Sequence, residues 1–184
     1  MSKIVLVTGG SRSGKSVLAE NKAAEYGDGS VLYIATAIPT DDDMRERIRM
    51  HQERRDARWA THEGFKDICE ALENTDKKTA LLDCITVFIT NYMFDEERDF
   101  DTITKDEIHE LEDLILDELK KIVAMARKMD KDLIMVTNEV GMCVVSPYRM
   151  SRIFSDINGR ANELLASLSD EVYLSICGIP TKLK

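Results

Sequence analysis

The sequence predicts an α/β fold in which a mainly parallel sheet is flanked by helices. Two observations lead to this prediction: short apolar runs rich in β-branched residues recur along the chain, and segments with apolar residues at helical spacing lie between them. Strands that alternate with helices favour parallel pairing, with both faces of the sheet covered. The predicted strands cover residues 4–7, 31–34, 80–82, 133–136 and 172–176.

The predicted helices follow from the same periodicity. In residues 105–128 an apolar stripe begins with Ile108 and Leu111, and acidic residues occupy the opposite face. Residues 148–168 show a similar stripe, and a further helix is predicted over residues 17–26. The acidic run near the middle of the chain is thereby explained as a solvated helix face without a functional role.

The composition is typical of one soluble globular domain. Of the 184 residues 43% are hydrophobic and 32% charged, so a single domain over residues 1–184 is expected. The absence of a long apolar run and of a signal-peptide pattern favours a cytoplasmic protein with no membrane span. The net charge of −9 argues against nucleic-acid binding, which needs a basic surface. The four widely spaced cysteines favour buried, reduced thiols over a metal or redox site.

Residues 9–16 read GGSRSGKS and match the phosphate-binding pattern G-x-x-x-x-G-K-[ST] at every fixed position. This phosphate loop follows the first predicted strand and precedes a predicted helix, as an anion site requires. Lys15 is expected to reach the β- and γ-phosphates, and the Ser16 hydroxyl to ligate Mg²⁺. A chance Gly/Ser turn is the alternative, and the complete pattern in this context argues against it. The sequence therefore predicts nucleoside triphosphate binding by a P-loop NTPase of RecA-like architecture.

Further site residues are expected where strands end, because ligands of open α/β sheets bind beyond the carboxyl ends of the strands. Asp83 directly follows an apolar run, the position from which a Walker-B-type acid holds Mg²⁺ through water. Ser16 and Asp83 are thus the predicted metal-binding residues, and Asp83 is also the candidate base for a substrate hydroxyl. The loops selected by this rule are 9–16, 35–43, 83–86 and 137–146.

The candidate nucleophile lies in a segment rich in arginine. A helix is predicted to begin at residues 41–43, and His51 shares one face of it with Met44, Ile48 and Arg55. Six arginines lie between residues 44 and 58, and guanidinium groups suit phosphate recognition. Spacing alone favours a half-buried helix histidine over a nucleophilic imidazole that would form a phosphoramidate.

The other two histidines, His62 and His109, have no mechanistic context, and a surface position is expected for both.

A series of motifs makes the chain similar to a known family. The motifs are LVTGGSRSGKS at 6–16, YIATA at 33–37, RIRMHQERR at 47–55, WATHE at 59–63, LDCIT at 82–86, VTNEVG at 136–141, DINGRAN at 156–162 and GIPTKLK at 178–184. In this order they resemble the bifunctional adenosylcobinamide kinase / adenosylcobinamide-phosphate guanylyltransferases of cobalamin biosynthesis. The phosphate loop is common to many folds, whereas the VTNEVG run and the histidine segment are far more specific.

The resemblance implies two activities. The kinase activity would phosphorylate the aminopropanol hydroxyl of adenosylcobinamide with ATP or GTP. In the second activity His51 would attack the α-phosphate of GTP, carry GMP covalently and pass it to adenosylcobinamide phosphate, giving adenosylcobinamide-GDP. His51 and Lys15 are then the catalytic residues, with Mg²⁺ as cofactor and GTP and ATP as substrates. A homo-oligomer, specifically a trimer, is also implied.

The resemblance also implies a set of nucleotide contacts. Asp83 stands where the family often has glutamate, and Cys143 where it often has glycine, but neither difference removes a required group. The implied contacts are Gly9, Gly10, Ser11, Arg12, Ser13, Gly14, Lys15, Ser16, Ala35, Thr36, Ala37, Gln52, Glu53, Arg54, Arg55, Glu63 and Asp83.

Two other functions remain open from the residues alone. One is a P-loop kinase for another small alcohol, which needs Lys15, Ser16 and Asp83 but not His51. The other is a nucleotide-dependent switch protein with slow hydrolysis, which predicts partner binding and no phosphorylated small molecule.

Overall fold

The computed structural model describes residues 2–27, 30–39, 42–54 and 56–184, and within 42–54 it describes only the backbone of residues 43, 44, 47, 48, 51 and 54. These ranges contain seven strands and six helices. The strands are β1 (Ile4–Gly9), β2 (Val31–Ala35), β3 (Ala60–Glu63), β4 (Thr79–Asp83), β5 (Asp132–Val136), β6 (Glu171–Ile176) and β7 (Ile179–Lys182). The helices are α1 (Lys15–Gly27), α2 (Asp42–Arg54), α3 (Ile68–Asn74), α4 (Ile85–Phe94), α5 (Lys105–Lys128) and α6 (Arg149–Leu168).

The strands form one sheet in the order β3-β2-β4-β5-β1-β6-β7. All neighbours pair in parallel except β6 and β7, which form an antiparallel pair at one edge. The predicted mainly parallel sheet is therefore confirmed, and all five predicted strands are present. Because β5 lies between β1 and β4, the segment after β5 leaves the sheet between the ends of those two strands.

Helices cover both faces of the sheet. On one face Ile4, Leu6 and Leu82 pack against the apolar sides of α3, α4, α5 and α6. On the other face Val5 and Val7 pack against α1, whose buried apolar residues, Ala19 and Ala23, allow a close approach to the strands. Alternate residues of β1 thus enter two separate cores, which explains why its run of apolar residues is continuous.

The two long predicted helices are confirmed. Helix α5 begins at a capping box in which Thr104 and Glu107 exchange side-chain to backbone hydrogen bonds, and its acidic face is largely exposed. One acid departs from that pattern, because Glu112 is buried and pairs with Arg160 of α6. None of the helices in the described part of the chain combines the length and apolarity that a membrane crossing needs.

The remaining elements, β3, β7, α3 and α4, were not predicted. Strand β3 has four residues with two polar side chains in its centre, and β7 contains Pro180, so neither shows a strand pattern by itself. Of the two histidines expected at the surface, His109 is exposed, whereas His62 is half-buried with Nε2 2.9 Å from the carbonyl oxygen of Lys66.

Candidate active site

The loops selected from the sequence meet at one edge of the sheet, beyond the carboxyl ends of the parallel strands. Backbone hydrogen bonds connect them directly. Thr36 donates its N–H to the carbonyl of Asp83 over 3.2 Å, and Glu139 donates to the carbonyl of Gly9 over 3.1 Å. A further bond, of 2.9 Å, runs from Gly64 to Ala35. The ends of β1, β2, β3, β4 and β5 therefore form one continuous surface.

The phosphate loop is held from behind by the β6–β7 hairpin. The carbonyl oxygen of Ser13 accepts hydrogen bonds from Ser175 Oγ at 2.7 Å and from the N–H of Gly178 at 2.9 Å. A Cβ atom at Gly9 would lie 2.4 Å from the carbonyl oxygen of Ser175, so no larger residue fits there without movement. Gly14 has a φ of +89°, which favours glycine. These contacts and backbone angles thus fix the loop conformation.

Lys15 points into this loop. Its Nζ donates a hydrogen bond to the carbonyl oxygen of Gly10 at 3.0 Å, and the residue is only 9% exposed. Burial lowers the pKa of Lys15 from its ordinary value, and electrostatic interaction with Cys84 and Asp83 partly opposes that shift. The ammonium group is therefore poorly solvated and is available to the anion of a bound phosphate.

Cys84 lies beside this lysine but has no place in the chemistry. Burial raises the pKa of its thiol to about 12, so the thiol stays protonated at neutral pH. A protonated thiol is a poor nucleophile and a poor metal ligand. All four cysteines are free thiols, but the prediction that they are buried is wrong for Cys143 and Cys177, which are exposed. In the described ranges no three His, Cys, Asp or Glu residues are grouped as a metal cluster.

Asp83 ends β4 and is half-buried at the same edge. Its Oδ2 accepts a 2.7 Å hydrogen bond from the hydroxyl of Tyr33, which is buried and stacks on Trp59 with ring centroids 6.2 Å apart. Ser16, the second residue of α1, is also half-buried. A hydroxyl and a carboxylate beside a phosphate loop supply the oxygen ligands that Mg²⁺ prefers, so the residues present fit that ion.

Thr36, a predicted nucleotide contact, is completely buried and engaged with the protein. Its Oγ1 accepts from the N–H of Cys84 and donates to the carbonyl of the same residue, both over 2.9 Å. Its own carbonyl oxygen accepts from Asn91 Nδ2 at 2.7 Å. The Thr36 hydroxyl therefore joins the loop after β2 to the loop after β4. Ala35 and Ala37, which flank Thr36 in the chain, are the other predicted nucleotide contacts of this loop.

Helix α2 carries the remaining predicted residues. Gln52 Nε2 donates to Glu63 Oε1 at 3.2 Å, which brings two predicted nucleotide contacts together. Glu53 instead pairs with Arg49 on the same helix. His51 and Arg54 lie on α2 by their backbone, but their side chains are outside the described residues, as is Arg55 altogether.

A buried polar network behind the site was missed from the sequence. The carbonyl oxygen of Asn138 accepts from Asn158 Nδ2 at 2.9 Å and from Asn162 Nδ2 at 3.1 Å, and its N–H donates to Thr86 Oγ1 at 2.8 Å. Thr137 Oγ1 donates to Asn162 Oδ1 at 2.7 Å. The sequence feature that could have predicted this network is a pair of asparagines, four residues apart, on the apolar face of α6. The network fixes the chain where it leaves β5.

A cavity of about 620 Å³ opens beyond this point, between residues 140–146 and residues 151–163 of α6. Its walls combine apolar groups such as Val144 and Phe154 with the charged side chains of Arg152, Asp156, Arg160 and Glu163. The loop on its outer side exposes apolar residues, with Val144 91% and Val145 77% accessible. An apolar surface of this kind beside a phosphate site suits a large acceptor molecule.

Comparison with known proteins gives consistent results. The family described as cobinamide kinase / cobinamide phosphate guanyltransferase matches residues 5–183. The chain is 40% identical over 184 residues to the bifunctional adenosylcobalamin biosynthesis protein CobU of Escherichia coli K12, covering 98% of this chain and 99% of the relative. CobU of Salmonella typhimurium LT2 gives the same identity and coverage. CobP of Pseudomonas aeruginosa PAO1 is 32% identical over 182 residues, covering 97% and 96%.

A solved structure with little sequence identity shares the fold. The flagellar accessory protein FlaH from Methanocaldococcus jannaschii superimposes with a TM-score of 0.50 at 13% identity, covering 99% of this chain and 78% of that chain. At this identity the likeness concerns the fold alone. Together with the strand order, in which β5 separates β1 from β4, it confirms the predicted RecA-like P-loop architecture.

Proposed function

Because the chain belongs to the cobinamide kinase / cobinamide phosphate guanyltransferase family, we propose that it phosphorylates adenosylcobinamide and then attaches GMP through a covalent GMP–histidine intermediate on His51. The observation that carries the proposal is the meeting of the phosphate loop, Asp83 and the loop before α2 at one edge of the sheet. One nucleotide bound at this edge lies within reach of both kinds of chemistry.

In the kinase step the loop N–H groups and Lys15 bind the triphosphate and stabilise the charge that develops on the transferred phosphoryl group. Mg²⁺ held by Ser16 and Asp83 would neutralise charge on the β- and γ-phosphates. Tyr33 orients the Asp83 carboxylate through the 2.7 Å hydrogen bond. The acceptor hydroxyl then displaces the nucleoside diphosphate, whether the donor is ATP or GTP.

In the guanylyl transfer step a neutral His51 imidazole attacks the α-phosphate of GTP, and pyrophosphate leaves. Its position on α2, beside the Gln52–Glu63 contact, supports this role because that contact links the helix to the end of β3. The phosphate of adenosylcobinamide phosphate then displaces GMP from the histidine. Lys15 and arginines of the segment around His51, with Arg54 and Arg55 as candidates, compensate the charge of pyrophosphate.

We assign the acceptor molecule to the cavity between residues 140–146 and α6. Support comes from its apolar lining, from its continuity with the end of β5, and from Arg152, whose charge complements a substrate phosphate. The proposal includes a cytoplasmic location, where GTP and ATP are available, and a homotrimer, which sedimentation equilibrium tests by mass.

The decisive experiment is covalent labelling with Mg²⁺ and α-phosphate-labelled GTP, followed by denaturation. We expect label that resists alkali, is released by acid and is absent from His51→Ala. His62→Ala serves as the matched control, because His62 is bonded to Lys66 outside the phosphate loop and keeps the label.

The same variants separate the alternatives. Loss of the label in His51→Ala together with retained phosphorylation of adenosylcobinamide supports both halves of the proposal. Wild-type protein that phosphorylates but never becomes labelled is a P-loop kinase without the histidine chemistry. Nucleotide binding without either product favours the switch protein.

A further inference from the structure

Glu139 occupies the central position of the site, and no role has so far been given to it. Strand β5 lies between β1 and β4, so the residues that follow it leave the sheet between the end of β1, which leads into the phosphate loop, and the end of β4, which carries Asp83. We infer that Glu139 is the general base of the phosphorylation step, taking the proton from the acceptor hydroxyl. The inference rests on the proposed function and assigns one of its reacting groups.

The backbone of Glu139 is fixed on both sides of the site. Its N–H donates to the carbonyl oxygen of Gly9, the first residue of the phosphate loop, over 3.1 Å. The preceding residue, Asn138, is held by Thr86 on one side and by Asn158 and Asn162 on the other. These hydrogen bonds hold the backbone of Glu139 in one position, so its carboxylate is positioned before the substrate binds.

The side chain of Glu139 is held by its own loop rather than by a cation. Its Oε1 accepts a hydrogen bond of 3.3 Å from the N–H of Gly141, and the residue is half-exposed. Within the described part of the chain, no lysine or arginine forms an ion pair with it. A carboxylate keeps further lone pairs after one such bond, so it can accept a proton from a substrate.

Asp83 is less suited to the same task. Its Oδ2 accepts the hydrogen bond from Tyr33 at 2.7 Å, and its carboxylate interacts electrostatically with Lys15 of the phosphate loop, which suits a metal ligand beside the phosphates. We therefore give the two carboxylates different roles: Asp83 holds the metal, and Glu139 directly precedes Val140, which lines the cavity that we assign to the acceptor. This replaces the sequence-based candidate, Asp83, as the base.

Phosphoryl transfer with Glu139 as the base needs no further reactant. The acceptor O–H bond breaks and its proton passes to the Glu139 carboxylate, while the oxygen forms a bond to the γ-phosphorus. The bond from the γ-phosphorus to the β–γ bridging oxygen breaks, and the nucleoside diphosphate leaves with that electron pair. The carboxylic acid then returns its proton to water.

Guanylyl transfer does not require a base to remove a proton from its nucleophile. The inference therefore predicts different effects on the two activities. A neutral imidazole nitrogen attacks GTP through its lone pair, and the phosphate oxygen that later receives GMP is already ionised. Neither attack needs a proton removed from the nucleophile. Loss of the base is therefore expected to slow one of the two activities only.

The test is Glu139→Gln, whose amide oxygen still accepts the bond from Gly141. We expect kcat for phosphorylation of adenosylcobinamide to fall roughly 10²- to 10⁴-fold, with KM for ATP changed by less than about threefold. Formation of the GMP adduct, and GMP transfer to supplied adenosylcobinamide phosphate, should remain within about threefold of wild type. Glu110→Gln, an exposed position on α5, is the matched control.

A further variant distinguishes a base from a structural residue. Glu139→Asp should recover part of the rate, since the carboxylate remains. A wild-type rate in Glu139→Gln, or equal losses in both activities, would overturn the inference. Wild-type protein that forms no phosphorylated product would instead overturn the proposed function itself.

Discussion

The phosphate loop and helix α2 are both predicted to hold the phosphates of one nucleotide, but they differ in how firmly the rest of the protein holds them and in how exposed their side chains are. The loop is anchored to the β6–β7 hairpin through Ser13, and its lysine is buried. The described side chains of α2 are exposed and form their ion pairs within the helix. These pairs join Arg45 to Asp42 and Arg49 to both Glu46 and Glu53.

The difference indicates two modes of recognition. A loop whose donors are fixed before binding stabilises phosphate charge without reorganisation. Helix α2 is tied to the rest of the chain more lightly, since among its described side chains Gln52 is the one that hydrogen-bonds outside the helix. We therefore expect substitutions in the loop to have large effects on activity or stability. Substitutions on α2 should have small effects, unless they remove a group that contacts the nucleotide.

The largest effect is expected from Lys15→Met. Both activities should fall roughly 10³-fold, equivalent to about 4 kcal/mol of transition-state stabilisation. Steady-state kinetics of both activities provides the measurement. Lys22→Met is the control on the same helix, because the Lys22 ammonium lies 4.2 Å from the centroid of the Tyr173 ring and away from the loop.

The same variant tests the electrostatics of the loop. Burial lowers the pKa of Lys15 in the folded protein, so the folded state binds that proton less well than the unfolded state. The resulting cost is present at neutral pH and is relieved as pH rises through the lowered pKa toward 10.5. Lys15→Met should remove this pH dependence in urea unfolding, and a variant that keeps it would contradict the assignment.

The next largest effect is expected from Gly9→Ala. The new Cβ would lie 2.4 Å from the Ser175 carbonyl and 2.6 Å from Ser13 Oγ. Forcing such a contact costs about 1–3 kcal/mol, so the free energy of unfolding should fall by that amount. Gly10→Ala is a matched control, because a Cβ there meets no atom within 4 Å. Equal losses in the two variants would show that crowding against the hairpin is not the cause.

A smaller effect is expected from Gln52→Ala, which breaks the described hydrogen bond between α2 and the end of β3. The amount of GMP adduct formed at subsaturating GTP should fall about tenfold, whereas the free energy of unfolding should change by less than about 0.5 kcal/mol. Met50→Ala, on the same helix and 54% exposed, is the control for side-chain truncation. Stability loss without loss of labelling would make this contact structural.

The contrast between loop and helix also explains what the sequence could predict. The phosphate loop and α5 are defined by residues close together in the chain, so their patterns are complete in local sequence. Strands β3 and β7 owe their state to pairing at sheet edges, which periodicity does not reveal. The hydrogen bond of Tyr33 to Asp83 spans 50 residues and follows from the strand order alone.

Some parts of the site could likewise not be predicted from the sequence, because they depend on contacts between distant residues. The sequence marked VTNEVG as a specific motif but gave it no role. Strand order places its glutamate beside Gly9, and the asparagines of α6 fix the backbone there from 20 and 24 residues away. Motifs predicted which groups are present, and the topology of the sheet determines which of them meet.

The smallest effect is expected from Arg49→Ala, and it tests the helix side of the comparison most directly. Arg49 binds Glu46 and Glu53 at 2.6 and 2.5 Å, but these side chains are more than half exposed, where ion pairs contribute little. The melting temperature should stay within about 1 °C of wild type at low and high salt. Labelling by GTP should also be nearly unchanged, because the charge of Arg49 is already balanced within the helix. A tenfold loss of labelling at unchanged stability would show that Arg49 leaves its carboxylates for the nucleotide, and that α2 rearranges when GTP binds.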